Sequence, residues 1–195
     1  MEGYFGNPTL RAGYSHTIER MEKSGRLKIR QAMQRDIDTV VDILGEAARW
    51  LENRGMAMWQ ENELSPEVIA AEVNSGLFFL AEWDGEPAGT IRYQLEDPLF
   101  WPEVKRHDSA FIHRLAVRRR FAGGDVSSAL ILWSISHTQK LNRRFLRLDS
   151  EVFRPRLRAI YERIGFRFHS YKQVGPYHVA RYEFDLLEIS LSNKR

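Results

Sequence analysis

The chain has 195 residues, of which 43% are hydrophobic and 12% aromatic, and its formal net charge is +3. This size and composition suffice to bury one core, so we expect a single folded domain rather than wholesale disorder. Cysteine is absent, which excludes disulfides, thiol nucleophiles and thiolate metal sites. No apolar run approaches the roughly 18 residues of a membrane span and no secretory leader opens the sequence, so we expect a soluble cytoplasmic protein without a membrane partner.

The positive charge is concentrated in the second half of the chain. Between Asp36 and Glu103 the basic residues are Arg49, Arg54 and Arg92, set among many carboxylates. From residue 105 onward arginine predominates. A basic half is typical of proteins that bind nucleic acid, because arginine and lysine contact phosphates. A phosphorylated cofactor accounts for the same charge with less surface, and we favour that interpretation over a nucleic-acid partner.

The first half of the chain predicts a strand, two helices and a hairpin. Asp36 is the expected N-cap of the first helix and Gly55 its stop, while Ser65 and Pro66 begin the second helix. An Asp-Gly pair forms the hairpin turn. In chain order, the predictions are a loosely held N-terminal arm over residues 1–26, a strand over 27–31, a helix from Ile37 to Leu51, a helix from Pro66 that closes at residues 75–76, and hairpin strands over 77–83 and 87–95.

The second half predicts a local strand-helix-strand unit followed by two closing strands. The helix between the first two strands is long enough for a crossover between parallel strands. In chain order, we predict a loop over residues 97–108, a strand over 111–117, a turn at 122–124, a helix over 126–141, a strand over 145–151, a short helix that contains Tyr161, and an antiparallel pair over 166–173 and 177–186. The folded domain is expected to span residues 27–190.

This order of elements resembles the GCN5-related N-acetyltransferase (GNAT) superfamily. The resemblance extends from Lys28 to Asp185, and its local matches are residues 113–117, 121–124, 128–130, 146–149 and 156–166. It implies a mixed α/β fold with a central twisted, mostly antiparallel sheet of about seven strands, one parallel βαβ pair, and helices on both faces. It also implies an acyltransferase that moves an acetyl group from acetyl-coenzyme A to an amine.

The resemblance further implies where the acyl carrier binds. The pantetheine arm pairs with the strand that ends at residues 115–117, as an added strand would. The diphosphate lies on exposed N–H groups at the start of the following helix, where the helix dipole favours an anion. The expected cofactor-binding residues are Leu115, Ala116, Val117, Ala122, Gly123, Gly124, Asp125, Val126, Ser127, Ser128, Arg154 and Arg158. No metal is expected.

The turn departs from the superfamily pattern, in which Gln or Arg is followed after two residues by Gly and after one more by Gly or Ala. The corresponding positions hold Ala122, Asp125 and Ser127. A carboxylate at a helix start either caps the helix or competes with a diphosphate for donors and repels it. Both interpretations of Asp125 stay open at this point. The basic run at 118–120 either offsets its charge or is a solvated edge.

The resemblance assigns Tyr161 as the acid that protonates the departing thiolate. The alternative is an aromatic side chain that packs the short helix against the sheet. Candidates for the base that deprotonates the amine are His113, Glu103 and Glu151, or water relayed to a carboxylate. A strand N–H near Leu115 or Val117 would hold the carbonyl oxygen.

The acceptor groove of the superfamily is walled by the first helices and the loop before the fourth strand. Its acidic and aromatic members here are Trp59, Glu61, Glu63, Asp97, Phe100, Trp101 and Glu103. We interpret this wall as suited to a small cationic amine, the alternative being a solvated acidic helix face. The predicted function is therefore an acetyl-coenzyme A dependent N-acetyltransferase acting in a ternary complex. The alternatives are a weakly active or inactive acyl-coenzyme A binding protein of the same fold, and a nucleic-acid associated protein. A homodimer is left open.

Overall fold

The computed structural model describes residues 25–56 and 58–187. The predicted arm therefore lies outside the described residues, apart from its last two. The described chain divides into two compact units. We call residues 25–94 and 113–131 the N-terminal unit, and residues 95–112 and 132–187 the C-terminal unit.

Seven strands and four α-helices form in the described residues. The strands are β1 (Leu27–Gln31), β2 (Phe78–Trp83), β3 (Glu86–Gln94), β4 (Ser109–Val117), β5 (Phe145–Glu151), β6 (Arg167–Val174) and β7 (Tyr177–Asp185). The helices are α1 (Ile37–Glu52), α2 (Pro66–Asn74), α3 (Val126–Lys140) and α4 (Pro155–Ile164). None of the helices in the described ranges combines the length and the apolar character that a membrane crossing requires.

The strands follow the order β1-β2-β3-β4-β5-β7-β6 in one sheet. The β4–β5 pair is parallel, whereas the β1–β2, β2–β3, β5–β7 and β6–β7 pairs are antiparallel. The helix α3 joins the two parallel strands. This arrangement confirms the predicted mixed α/β fold with seven strands and one parallel βαβ pair.

The core of the N-terminal unit forms where α1 and α2 pack on β2. Buried positions of α1 recur at helical spacing, including Val40, Ile43 and Leu44, and they cluster with Ile69 of α2 and Leu80 of β2. One face of each helix is therefore removed from water, which is the main source of stability for short helices.

The helix α2 begins and ends where the sequence predicts. The Ser65 hydroxyl oxygen accepts a hydrogen bond from the Val68 N–H at 3.3 Å, and Pro66 occupies the first turn. The chain leaves the helix through Gly76, whose φ of +73° favours glycine. These signals are local, so they can be identified from the sequence alone.

Asp36 occupies the N-cap position of α1, but its carboxylate caps no helical amide. The carboxylate instead accepts hydrogen bonds from the Met33 N–H at 2.8 Å and from the Arg30 guanidinium at 2.7 and 2.9 Å. Asp36 is thus the N-cap residue, as predicted, but it makes no capping hydrogen bond, because a 3-10 turn over Gln34–Asp36 precedes the helix and its carboxylate binds Arg30 of β1 instead. The Arg30 hydrogen bonds outweigh burial and lower the pKa of Asp36 to about 2.

In the C-terminal unit, the loop between β3 and β4 is held by Trp101. The residue is 2% exposed and contacts two cations, with the guanidinium carbons of Arg181 and Arg147 at 4.5 and 5.2 Å from the ring centroid. Arg181 also donates to the Phe100 carbonyl oxygen at 2.9 Å. The loop is thus anchored to β5 and β7 by cation–π contacts and a backbone hydrogen bond.

Candidate active site

The strand β4 loses its β5 partner halfway along its length. The parallel pairing runs from Ser109 opposite Phe145 to Ile112 opposite Leu148, and it ends there. Within the described ranges, no β5 residue pairs with residues 113–117 of β4. An extended ligand could therefore pair as an added strand along residues 114–117 of this edge.

Arg114 lies at the point where β4 departs from regular strand geometry. Its φ is +48°, in the left-handed region that residues other than glycine rarely adopt. A residue of this kind within a strand acts like a β-bulge, because it redirects the neighbouring peptide groups. The change of direction comes two residues after the β5 pairing ends at Ile112.

The turn after β4 leaves backbone donors at the start of α3. Gly123 adopts a φ of +83°, and the Gly124 N–H donates back to the Phe121 carbonyl oxygen at 3.3 Å. The first backbone hydrogen bond of the helix runs from the Ala129 N–H to the Asp125 carbonyl oxygen at 2.8 Å. The N–H groups of residues 126–128 have no acceptor in the part of the chain that the structure describes. Such a helix start can bind an anion.

The Asp125 side chain does not consume these donors. It is exposed, and in the described structure its carboxylate accepts no hydrogen bond from the N–H of Ser127 or Ser128. Of the two interpretations of Asp125, the capping one is therefore not favoured. Its negative charge nevertheless lies on the residue that immediately precedes the open helix start.

The arginine run at 118–120 contacts residues of the N-terminal unit. Arg118 donates to Glu46 at 3.2 Å, and the N–H of Arg119 donates to the same carboxylate at 2.6 Å. Arg120 pairs with Glu86 at 2.7 Å. Carboxylates thus pair with the side chains of Arg118 and Arg120, whereas the guanidinium carbon of Arg119 lies 4.0 Å from the centroid of the Trp50 ring.

Tyr161 is buried in the C-terminal unit on α4. Its side chain is 5% exposed, and its ring lies edge-on to Phe166 with 5.9 Å between centroids. Burial, followed by the nearby Asp149 carboxylate, raises the pKa of the Tyr161 hydroxyl well above its usual value, against an opposing effect of Arg154. The phenol therefore stays protonated at neutral pH and can serve as a proton donor.

The two arginines predicted to bind the cofactor are held by protein groups. Arg158 donates from Nε to the Tyr182 hydroxyl at 2.7 Å and from Nη1 to the Val152 carbonyl oxygen at 3.2 Å. Arg154 is largely buried and has Nε 3.6 Å from the Glu151 carboxylate. Burial lowers the pKa of Arg154. These contacts do not present either guanidinium at the surface as a ligand for a phosphate.

Two of the candidate bases, His113 and Glu103, differ in their surroundings. His113 has Nε2 3.1 Å from the Gln94 side-chain nitrogen. The tautomer of the imidazole decides whether this nitrogen donates or accepts. Glu103 is bound by Arg181 and lies 3.7 Å from Lys172. Burial raises the pKa of Glu103, but its backbone hydrogen bond and Arg181 outweigh burial and lower it overall, which weakens it as a base.

Most of the predicted acceptor wall takes part in local structure. Trp59 packs on the core of the N-terminal unit, and the Glu63 carboxylate accepts the Gln60 N–H at 2.7 Å. Asp97 is buried and accepts hydrogen bonds from the N–H groups of Leu99 and Phe100. The side chain of Glu61 lies outside the described residues. These contacts give the acidic residues structural roles and weaken the case for a cation-binding wall.

Two residues at the site have no signal in the sequence. Gln94, at the end of β3, contacts His113 only because the two strands are adjacent in the sheet. Arg114 adopts a positive φ, which the sequence would have indicated only if a glycine or an asparagine stood at this position. Long-range pairing determines both features, so a single sequence does not reveal them.

Comparison with known proteins identifies the relationship. The model of the acetyltransferase (GNAT) family matches residues 40–166. A curated relative from Bacillus subtilis (strain 168), the uncharacterized N-acetyltransferase YesJ, is 26% identical over 158 residues, covering 78% of this chain and 87% of the relative.

Solved structures share the fold. A GNAT-family acetyltransferase from Listeria monocytogenes has a TM-score of 0.69 and 24% identity, covering 82% of this chain and 95% of that one. The PaiA N-acetyltransferase of Thermoplasma acidophilum, solved in complex with coenzyme A, has a TM-score of 0.64 and 16% identity, covering 81% of this chain and 99% of that one. Because the family model matches more than half of its residues, the chain belongs to the acetyltransferase (GNAT) family.

Proposed function

We propose that the protein is an N-acetyltransferase that moves an acetyl group from acetyl-coenzyme A to a primary amine by direct attack in a ternary complex. Family membership supports the reaction class. The observation that carries the proposal is the open start of α3, where the N–H groups of residues 126–128 have no acceptor within the described residues. Three backbone donors at the positive end of a helix suit a diphosphate.

In this proposal, acetyl-coenzyme A is bound mainly by backbone groups rather than by side chains. The diphosphate binds the turn at residues 123–128, and the pantetheine amides pair with the β4 edge at residues 115–117. Gly123 suits this role because its positive φ curves the backbone without side-chain strain. Arg154 and Arg158 are held by neighbouring protein groups, so we give them no part in diphosphate binding.

The reaction requires a neutral amine, a polarised carbonyl and a protonated leaving group. The amine nitrogen attacks the thioester carbon and forms the C–N bond, while a β4 N–H near Leu115 or Val117 stabilises the oxyanion. The C–S bond then breaks, and its electron pair stays on sulfur. Tyr161 donates its proton to this sulfur, the role that the family resemblance assigns to it, and its phenol is protonated at neutral pH.

The amine must lose a proton, since an alkylammonium has a pKa near 10.4 and no free electron pair. We assign this step to His113, because a neutral imidazole can take up a proton near neutral pH and its Nε2 lies 3.1 Å from the Gln94 side chain. The incoming amine replaces the Gln94 amide at this nitrogen. Glu103 is the weaker candidate, because Arg181 stabilises its charged form.

Thiol release from acetyl-coenzyme A, measured across a panel of amines, tests the proposal. The panel comprises polyamines, aminoglycosides, amino acids and amino sugars, with anionic acceptors for comparison. Turnover with at least one amine is expected. Tyr161→Phe should lower kcat by about 100-fold or more, whereas the matched Tyr171→Phe, on an exposed side chain, should not. Binding of coenzyme A without turnover on any amine would instead indicate a binding protein.

A further inference from the structure

The Glu72 carboxylate on α2 bridges arginines from two neighbouring strands. One oxygen lies 3.1 Å from Nε of Arg92 on β3, and the other accepts a short hydrogen bond from Nη1 of Arg114 on β4. The three side chains are only 14–20% exposed. Water screens such pairs less than surface pairs, so this cluster constrains its members more firmly.

Arg114 is the residue with a φ of +48° in the middle of β4. A left-handed conformation costs free energy for any residue with a Cβ, and it persists only where surrounding contacts impose it. The side chain of Arg114 is anchored by Glu72, which lies 42 positions away in the chain. A helix residue therefore contacts the side chain of a strand residue whose backbone conformation is unfavourable.

We propose that Glu72 is a positioning residue for acyl transfer. Its ion pair with Arg114 maintains the left-handed backbone, and that backbone directs the N–H of Leu115 toward the thioester oxygen. This inference rests on the proposed function, which places the acyl group beside β4. Glu72 touches neither substrate nor cofactor, so its loss should lower kcat while leaving the affinity for coenzyme A almost unchanged.

Three variants separate this role from general stability. Glu72→Gln keeps the side-chain shape and removes the charge, and we expect kcat to fall by about tenfold, as for a misdirected oxyanion donor. Glu82→Gln is the matched control, because Glu82 is equally exposed and pairs with Arg30 at 2.7 Å in the same unit. Glu72→Gln combined with Arg114→Gly should recover most of the lost rate, since glycine adopts positive φ without strain.

The outcomes are distinct. Rescue of kcat by glycine, with the KM for acetyl-coenzyme A within about twofold of the unmodified protein, supports the proposal. It is overturned if Glu72→Gln behaves like Glu82→Gln, or if the glycine variant gives no rescue. Absence of turnover in the unmodified protein would defeat the proposed function instead. In that case amide hydrogen exchange still decides the inference: Glu72→Gln must speed exchange over residues 114–117 more than Glu82→Gln does, and equal protection overturns it.

Discussion

Gly89 of β3 approaches Ala116 of β4 so closely that an ideal Cβ on Gly89 would lie 2.9 Å from the Ala116 carbonyl oxygen. The same Cβ would lie 3.1 Å from Cγ1 of Val126 and 3.2 Å from Cδ1 of Leu130. The missing side chain thus lets a β-strand and the start of α3 pack together beside the open N–H groups. One glycine couples the strand edge and the helix start of the candidate site.

Gly89→Ala should therefore destabilise the protein by about 1–3 kcal/mol, because backbone and core atoms must move to admit the methyl group. Urea unfolding measures the change. Gly45→Ala in α1 is the control, since its Cβ would meet only the mobile end of Arg49, and alanine favours helix. Equal stability of the Gly89 variant and the unmodified protein would refute the packing argument.

Gly123 and Gly124 make a matched pair in the turn. Gly123 has a φ of +83° and open space around its Cα, whereas a Cβ on Gly124 would make ordinary contact with the Phe121 carbonyl oxygen at 3.4 Å. Gly123→Ala should cost about 1 kcal/mol of unfolding free energy and reduce coenzyme A affinity, because the left-handed backbone becomes strained. Gly124→Ala should change stability by less than about 0.5 kcal/mol. Equal effects in urea unfolding and calorimetry would contradict this difference.

Asp125→Asn should strengthen coenzyme A binding by about fivefold, because it removes a negative charge next to the proposed diphosphate site. Isothermal titration calorimetry measures the gain, which should shrink at 1 M salt as the charges are screened. Asp38→Asn, an exposed carboxylate in the first turn of α1, is the control and should have no effect. Weaker binding by Asp125→Asn would show that the carboxylate supports the site.

The Asp36 carboxylate should make stability depend on pH in the acidic range. Hydrogen bonds from Arg30, and then from the Met33 N–H, lower the pKa of Asp36 from 3.8 to about 2. The contribution of the Asp36 carboxylate to the free energy of unfolding is therefore present above pH 3.8 and is lost as the pH falls toward 2. The full contribution is on the order of 2 kcal/mol. The difference in unfolding free energy between the unmodified protein and Asp36→Asn should shrink between pH 6 and pH 3. A constant difference would argue against the depressed pKa.

Local signals in the sequence predicted most of the fold. Ser65 and Pro66 begin α2 because a hydroxyl cap and a first-turn proline act within four residues. The strand at residues 145–151 was bounded correctly, and its parallel pairing with β4 follows from the length of α3. The predicted order of the elements, together with short matching segments, then resembled the superfamily.

Long-range pairing accounts for what the sequence did not predict. Asp36 has the position of a helix cap, yet Arg30 on β1 captures its carboxylate. The arginines at 118–120 suggest a basic edge, but Glu46 pairs with Arg118 and Glu86 pairs with Arg120. These partners are tens of residues apart along the chain, or lie across a turn of unexpected geometry. A single sequence shows the charges but not which charges meet.

The central claim is that open N–H groups at the start of α3 bind a diphosphate, and calorimetry with two ligands tests it most directly. Coenzyme A carries the diphosphate, whereas pantetheine keeps the thiol arm that would pair with β4 and lacks the phosphates. The account predicts that coenzyme A binds at least about tenfold more tightly than pantetheine, and that raising the salt concentration narrows the gap. Equal affinities, or no heat with saturating coenzyme A, would contradict it.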